Sequence, residues 1–333
     1  MIVVLSNESD ATADFFQAHL VREGVPFLRL NTESIARYPM CYAVENGEPS
    51  GWIEVGGERV ALRDLRAVYY RRPRQPNVPD ILEPGLAEWV ANELRRTWGG
   101  VLAGLPLTWV NHPLAIDQAS YKPEQLARAA HFRLRVPESL VTSDPGRARE
   151  FCRAMGWEVV AKPVGRGRVR GANPAEDRLV YTTGLNESHE DLLDRVSVCP
   201  TLLQRRIRRD TDVRVTVVGE ECFSADLRLP DDQRAAIADC RRDDMLHVTY
   251  ATRCLPRSLE EKLVRLTRSY GLTFAAIDLV LDPAGEFWFL ELNPAGQWAW
   301  IEEHAGLPIA AALVRELTHL NKPDQLARSH AAA

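Results

Sequence analysis

The sequence is short of the features that would announce a common chemistry. Its six cysteines, Cys41, Cys152, Cys199, Cys222, Cys240 and Cys254, are widely spaced with no CxxC pair. That argues against a zinc site or a redox dithiol and for buried apolar filling. No GxGxxG follows the first apolar run and no GK[ST] occurs anywhere, so neither a dinucleotide fingerprint nor a Walker A loop is expected. Neither sign of charge dominates: Lys and Arg number 41 against 46 Asp and Glu, a net charge of -5, which leaves no field to draw the chain to nucleic acid or a membrane. No long apolar run and no signal-like start is present, so a cytoplasmic chain with reduced thiols is expected. No Ser-His-Asp or Cys-His pattern, internal repeat or low-complexity segment stands out.

What is present concentrates near the carboxyl end. The 333 residues, 45% hydrophobic, suffice for two or three cores and so for more than one domain. In Phe274 to Gly296, two apolar runs flank Asp282-Pro283-Ala284-Gly285, which reads as a hairpin. A four-residue loop would set Leu281 opposite Glu286 and Asp278 opposite Phe289. Asp278 then shares a sheet face with Glu291 and Asn293, while Trp288, Leu290 and Leu292 form the packed face. A slip of one residue would scatter the three polar groups. Each alone reads as a polar strand end; three oxygen-bearing side chains on one face suit Mg²⁺, which takes its other ligands from water and phosphates.

The start of the chain reads as α/β. Ile2 to Leu5 is a strand, Asp10 caps a helix from Ala11 to Glu23, and Val25 to Leu30 is the next strand. Tyr42 to Val60, with four glycines, suggests a hairpin added to that sheet. Leu65 to Tyr70 is a strand followed by Arg71-Arg72-Pro73-Arg74, which suits a phosphate or a substrate carboxylate and equally a solvated loop. Leu86, Trp89, Val90, Leu94 and Trp98 at helical spacing predict a packing helix. Further on, the strand of Glu158 to Pro163 delivers Lys162 beside the glycine- and arginine-rich stretch from Val164 to Gly171, a setting for polyphosphate. The basic run of Leu202 to Arg209 lacks the interleaved aromatics of an RNA site. Leu259 to Tyr270 is an amphipathic helix ended by Gly271, and Ile309, Leu313, Leu317 and Leu320 give a closing helix.

The Asp278…Glu291-Leu292-Asn293-Pro294 pattern resembles the metal-binding end of ATP-grasp carboxylate-amine ligases, and ELNPAGQWAWIEEHAGLPIA resembles their peptide-modifying, microviridin-type (graspetide) branch. The resemblance implies an α/β chain with α+β character in its carboxyl half. An N-terminal pre-ATP-grasp domain (1–112) would precede a central lid (113–201), a metal-bearing ATP-grasp domain (202–325) and a frayed tail (326–333). It implies ATP and Mg²⁺ as cofactors, with Asp278, Glu291 and Asn293 on the metal and Lys122 and Lys162 on the phosphates. Gln204, Arg206 and Ile207 would line the adenine hinge, Asp212 would hold the ribose, and Arg214 and Arg241 would face the transferred phosphate or the substrate. Cys240 stands where that family pattern would have an aromatic.

The implied activity is conversion of Asp or Glu side chains of a ribosomal precursor peptide, leader plus core, to acyl phosphates. A hydroxyl or amine then displaces phosphate to give an ester or amide ring, and no enzyme nucleophile is needed. The alternatives are a RimK-like ligase adding a free amino acid to a protein or small acid, and a peptide-binding chaperone with a vestigial nucleotide site. No nucleic-acid or membrane partner is implied, and a homodimer is an open option for the chain's own assembly.

Overall fold

The computed structural model describes residues 1–79, 81–165, 167–169, 178–228 and 248–319. Arg241 with its neighbours Asp239 and Cys240, Arg166, Arg170 and Gly171 of the Val164 to Gly171 stretch, Leu320 and the tail lie outside the described residues.

The first sheet is parallel, in the order Phe27–Asn31, Ile2–Ser6, Ala67–Tyr70, Thr108–Val110. Asp10 caps the helix Ala11–Arg22 by accepting from Thr12 N–H at 3.2 Å. The hairpin expected at Tyr42 to Val60 is instead a separate three-stranded antiparallel sheet, Met40–Glu45, Glu48–Val55 and Glu58–Ala61. Its two turns explain this. Asn46-Gly47 and Gly56-Gly57 all have positive φ, the signature of tight hairpins that pair each strand with its own neighbour in sequence. The helix Pro84–Ala103 buries Trp98, Val101 and Leu102 but leaves Leu86 and Trp89 41% and 58% exposed, so the apolar stripe packs along its carboxyl half alone.

A second, antiparallel sheet runs Thr183–Leu185, Val159–Lys162, Thr201–Arg205, Ser139–Thr142. Because Thr201–Arg205 pairs on both sides here, this layer continues past residue 201. Its core holds Cys152, whose burial pushes the thiol pKa up. Cys222 is half-buried, and burial raises it to about 12. Cys41, Cys199 and Cys254 are exposed, against the expectation of buried filling; Cys41 sits on an edge strand and the other two in connections between elements.

The third sheet is antiparallel, in the order Thr249–Thr252, Glu221–Arg228, Thr211–Val218, Phe274–Leu281, Phe287–Asn293. One face, with Val213, Val215, Val217, Ile277, Leu279 and Phe289, packs on the helices Lys122–His131 and Arg257–Ser269. The other joins the first sheet. Val218, Phe274 and Ala276 share a core with Ile2, Val4, Phe16, Tyr69, Trp298 and Leu313. Trp298, fully buried, donates its indole N–H to Tyr69 Oη at 2.7 Å, so the amino-terminal sheet and the last sheet are locked by one apolar unit. Along the Thr211–Val218 strand this shared face turns polar at Arg214 and Asp212.

Candidate active site

The polar end of that face is built by an irregularity the sequence does not advertise. The hairpin connection is one residue longer than expected, because Asp282 accepts the N–H groups of Ala284 and Glu286, each at 2.9 Å, and the indole of Trp288 at 2.8 Å. These bonds hold the Asp282 carboxyl below its ordinary pKa. Leu281 therefore pairs with Phe287 and not with Glu286. Carried straight down the ladder, that slip would set Asp278 opposite Leu290 and put Glu291 and Asn293 on the other face. A β-bulge between Asp278 and Leu279 absorbs the extra residue, so Asp278 faces Glu291 and Ala276 faces Asn293. The bulge also switches the packed set on this strand. Phe289 and Leu292 are buried, whereas Trp288 and Leu290 are half-buried, which corrects the expected Trp288, Leu290, Leu292 alternation.

Asn293 Nδ2 donates to Asp278 Oδ2 at 3.3 Å and to Glu291 Oε1 at 3.1 Å, so the three side chains converge. Arg214, opposite Asp278 on the neighbouring strand, pairs with it at 2.5 Å. Lys122 at a helix start approaches Glu291 at 3.4 Å and donates to Pro163 O at 3.1 Å, linking the carboxylates to the strand that carries Lys162. Among the described residues no group of three His, Cys, Asp or Glu side chains is placed to hold a metal ion; the cluster is two carboxylates and an amide.

The backbone carrying these ligands is fixed by long-range contacts. Gln125, one helical turn after Lys122, brackets Leu292: its Oε1 accepts Leu292 N–H at 2.9 Å and its Nε2 donates to Leu292 O at 2.8 Å. It thus supplies the partner an edge strand lacks. Four successive carbonyls after Asn293 accept from side chains of other elements. Pro294 O receives Asn111 Nδ2 at 2.8 Å, Ala295 O and Gly296 O receive Arg71 Nη1, the latter at 2.9 Å, and Gln297 O receives Arg214 Nη2 at 3.0 Å. Gly296 is required by closeness: a Cβ there would lie 2.4 Å from Ala276 Cβ and 2.8 Å from Arg214 Nη2.

Lys162 donates to Gln204 Oε1 at 2.7 Å, and Gln204 Nε2 donates to Ser139 Oγ at 2.9 Å, so the ammonium is held by a buried amide in the central sheet. Arg206 donates its N–H to Glu158 O at 2.8 Å, and its side chain lines a cleft with Trp157, Glu158, Thr183, Gly184 and Asn186; none of the carboxylate cluster lines that cleft. Ile207 is half-buried in the connection that follows. Asp212, two residues from Arg214 and on its face, pairs with Arg209 at 3.0 Å. The structure thus gathers Lys122, Arg214, Asp278, Glu291 and Asn293 into one contact network, and sets Lys162 and Gln204 in a second one that Lys122 reaches through Pro163 O. Gln125, Asn111 and Arg209 were not singled out by sequence. The one available signal was Gln125 three residues after Lys122, which places both on one helix face.

Residues 1–117 match the family model described as the MvdD pre-ATP grasp domain. No curated protein matches the chain by sequence. Among solved structures, the macrocyclase MdnC from Microcystis aeruginosa MRC, bound with precursor peptide MdnA, is 25% identical with a TM-score of 0.83, over 95% of this chain and 99% of that one. The RiPP-associated ATP-grasp ligase of Chryseobacterium gregarium, in complex with ADP and a leader and core peptide, gives 23% and 0.86 over 97% and 98%. D-alanyl-alanine synthetase A from Vibrio cholerae shares the fold more distantly, at 12% and 0.53 over 95% and 97%. With an MvdD-type amino-terminal domain, a full-length fold in common with a peptide macrocyclase, and paired carboxylates on the last hairpin, the chain has the ATP-grasp fold and is similar to the ligases of the ribosomal-peptide-modifying type.

Proposed function

We propose that the enzyme uses ATP to activate side-chain carboxylates of a ribosomal precursor peptide and closes them onto hydroxyl or amine side chains of the same peptide. The observation that carries this reading is the convergence of Asp278, Glu291 and Asn293 between two cations, Lys122 and Arg214, in a chain whose fold matches a precursor-bound macrocyclase over nearly its whole length.

The donor set fits Mg²⁺. Two carboxylates and a side-chain amide are hard oxygen ligands, few enough to leave room for water and phosphate oxygens. The Asn293 amide turns its nitrogen to the carboxylates, and rotating it by half a turn presents Oδ1 instead. When bound there, the metal would neutralise charge building on the nucleotide phosphates. The chain's own residues do the rest. Lys122 and Lys162 supply fixed cations at the junction of the central layer and the last sheet. A substrate carboxylate oxygen attacks the terminal phosphorus, ADP leaves, and the acyl phosphate then loses phosphate to the incoming hydroxyl or amine, whose proton departs to solvent. Closure between the layers excludes the water that would hydrolyse the intermediate. Gln204 to Ile207 is proposed to meet the adenine edge and Asp212 the ribose, with Arg209 steadying Asp212. Arg241 is proposed to face the substrate or the transferred phosphate. No helix among the described residues is long and apolar enough to cross a membrane; a cytoplasmic site of action is proposed.

The test is co-expression with the precursor peptide encoded beside the gene, followed by intact mass. Loss of one water per ring, dependent on ATP, is expected. Addition of a free amino acid, or ATP turnover stimulated by amino acids and not by peptide, would replace this reading with the RimK-like one. For the nucleotide site, Lys162→Ala is expected to weaken nucleotide binding by ~10- to 100-fold, the effect of deleting one charge-assisted bond. Calorimetry with Mg²⁺ and a non-hydrolysable ATP analogue reads this directly, and an unchanged affinity would remove Lys162 from the phosphate site.

A further inference from the structure

The strand Phe287–Asn293 is the outer edge of the last sheet, and its ladder with Phe274–Leu281 skips one residue: Asp278 pairs with Glu291 and Leu279 with Phe289, so Leu290 is passed over. Packing alone does not decide that choice. Phe289 and Leu292 are both 1% exposed and share one core with the helices Lys122–His131 and Arg257–Ser269, which requires only that the extra residue lie between them. Either Leu290 or Glu291 could then be the one displaced from the ladder. The regular place opposite Asp278 goes to Glu291 for a reason found on the strand's other side.

Phe289 N–H donates to Arg135 O at 2.8 Å, and Leu292 N–H donates to Gln125 Oε1 at 2.9 Å, so both amides point away from the sheet. In an unbroken strand the outward amides belong to every second residue, and 289 and 292 could not both be among them. The outer partners therefore require a bulge between these two residues. Gln125 then settles its place. Besides accepting from Leu292, its Nε2 donates to Leu292 O at 2.8 Å and to Ala119 O at 2.5 Å, and the side chain is 3% exposed, so three bonds fix one amide plane. The two bonded groups of Leu292 belong to the peptide units that join it to Glu291 and to Asn293. A trans peptide points its C=O opposite its N–H, so Glu291 O and Asn293 N–H are turned inward to the neighbouring strand, and both residues stay in the ladder.

We propose that Gln125 is a positioning residue for the metal: by holding Leu292 at both its N–H and its C=O, it gives Glu291 the regular place opposite Asp278 and keeps Glu291 and Asn293 turned toward each other. This rests on the ligase reading above, in which those three side chains take Mg²⁺. The same helix controls the carboxylate as well as the backbone beneath it. Lys122 at its start approaches Glu291 at 3.4 Å and donates to Pro163 O at 3.1 Å, so the element that bridges to the Lys162 strand also sets the metal strand. A plain edge cap, the alternative role for Gln125, would stabilise the strand and leave metal affinity unchanged.

The measurement is calorimetry of ADP binding to the full-length enzyme across a series of Mg²⁺ concentrations, in wild type, Gln125→Met, Gln125→Asn and Glu291→Gln. Mg²⁺ is expected to tighten ADP binding in wild type, and Glu291→Gln to lose that gain. Gln125→Met matches the glutamine in length and makes none of its three bonds. The Mg²⁺ concentration at half effect should rise ~10-fold or more, the usual result of removing a residue that orients a metal ligand, while ADP without Mg²⁺ binds within about twofold of wild type. Gln125→Asn keeps an amide but stops one methylene short of Leu292; it should show the same shift, and it carries the test if Gln125→Met fails to fold. An unchanged Mg²⁺ requirement in a folded Gln125 variant, beside a lost gain in Glu291→Gln, overturns the proposal and leaves the metal reading standing. So does a weakening of ADP binding that is equal with and without Mg²⁺, which is the effect of a plain edge cap. No Mg²⁺ gain in wild type, or an undiminished one in Glu291→Gln, removes the metal reading and this proposal together, while the precursor mass experiment judges the macrocyclase reading separately.

Discussion

Glu291→Gln is expected to reduce ring formation and peptide-stimulated ADP release by at least ~10³-fold, the scale of removing one preorganised electrostatic stabiliser from a transition state. Glutamine keeps the length and planarity of the side chain and can still accept from Asn293, so what is removed is one negative charge of the two in the proposed metal site. Lys122 loses its partner at 3.4 Å but retains Pro163 O at 3.1 Å. The side chains of this pair are 22% and 16% exposed, so solvent reaches the orphaned ammonium and the stability cost stays small. Asp278→Asn is a poorer test, since Asp278 also balances buried Arg214 and its loss would mix folding with chemistry. The measurement is product mass and ADP release, with the thermal midpoint as control. Wild-type-like turnover in Glu291→Gln would remove the metal assignment outright.

Why Glu291 was legible in the sequence and its supports were not is a matter of range. The hairpin, its acidic face and Lys162 at a strand end all follow from period-two alternation and turn chemistry within about twenty residues. The agreement of Asp278 with Glu291 and Asn293 is more delicate. The expected face is correct, but it is reached by a longer connection and a compensating bulge, two departures that cancel. Asp282 carries the first departure, through side-chain bonds that a count of turn residues does not register. Local pattern also misjudged the Leu86 to Trp98 stripe: amphipathic spacing gives the face of a helix, and whether a neighbour extends far enough to cover Trp89 is a tertiary matter. The Arg-Arg-Pro-Arg stretch was ambiguous for the same reason. Whether it is solvated or buried depends on the loop at Ala295 and Gly296, more than two hundred residues later.

That long-range dependence gives the largest expected effect on stability. Asn111→Ala should lower the unfolding free energy by ~3–5 kcal/mol, because the side chain is 2% exposed and fully used. Its Nδ2 donates to Phe274 O at 2.7 Å and to Pro294 O at 2.8 Å, while its Oδ1 accepts from Thr273 N–H at 2.9 Å and Phe274 N–H at 3.0 Å. Truncation leaves two carbonyls and two amides without this partner in a place built for an amide and not for water, and each such group costs ~1–3 kcal/mol when water cannot reach it. The site should suffer as well. Asn111 ties the start of the strand that carries Asp278 to the carbonyl just after Asn293, so it sets the distance between the two ends of the proposed metal cluster. Thermal unfolding of Asn111→Ala should therefore move down by several degrees, and ring formation should fall even at temperatures where the variant is folded. A stability change below ~1 kcal/mol would mean that water replaces the amide, and the rigidity ascribed here to the Pro294–Gln297 segment would then have to come from Arg71 and Arg214 alone.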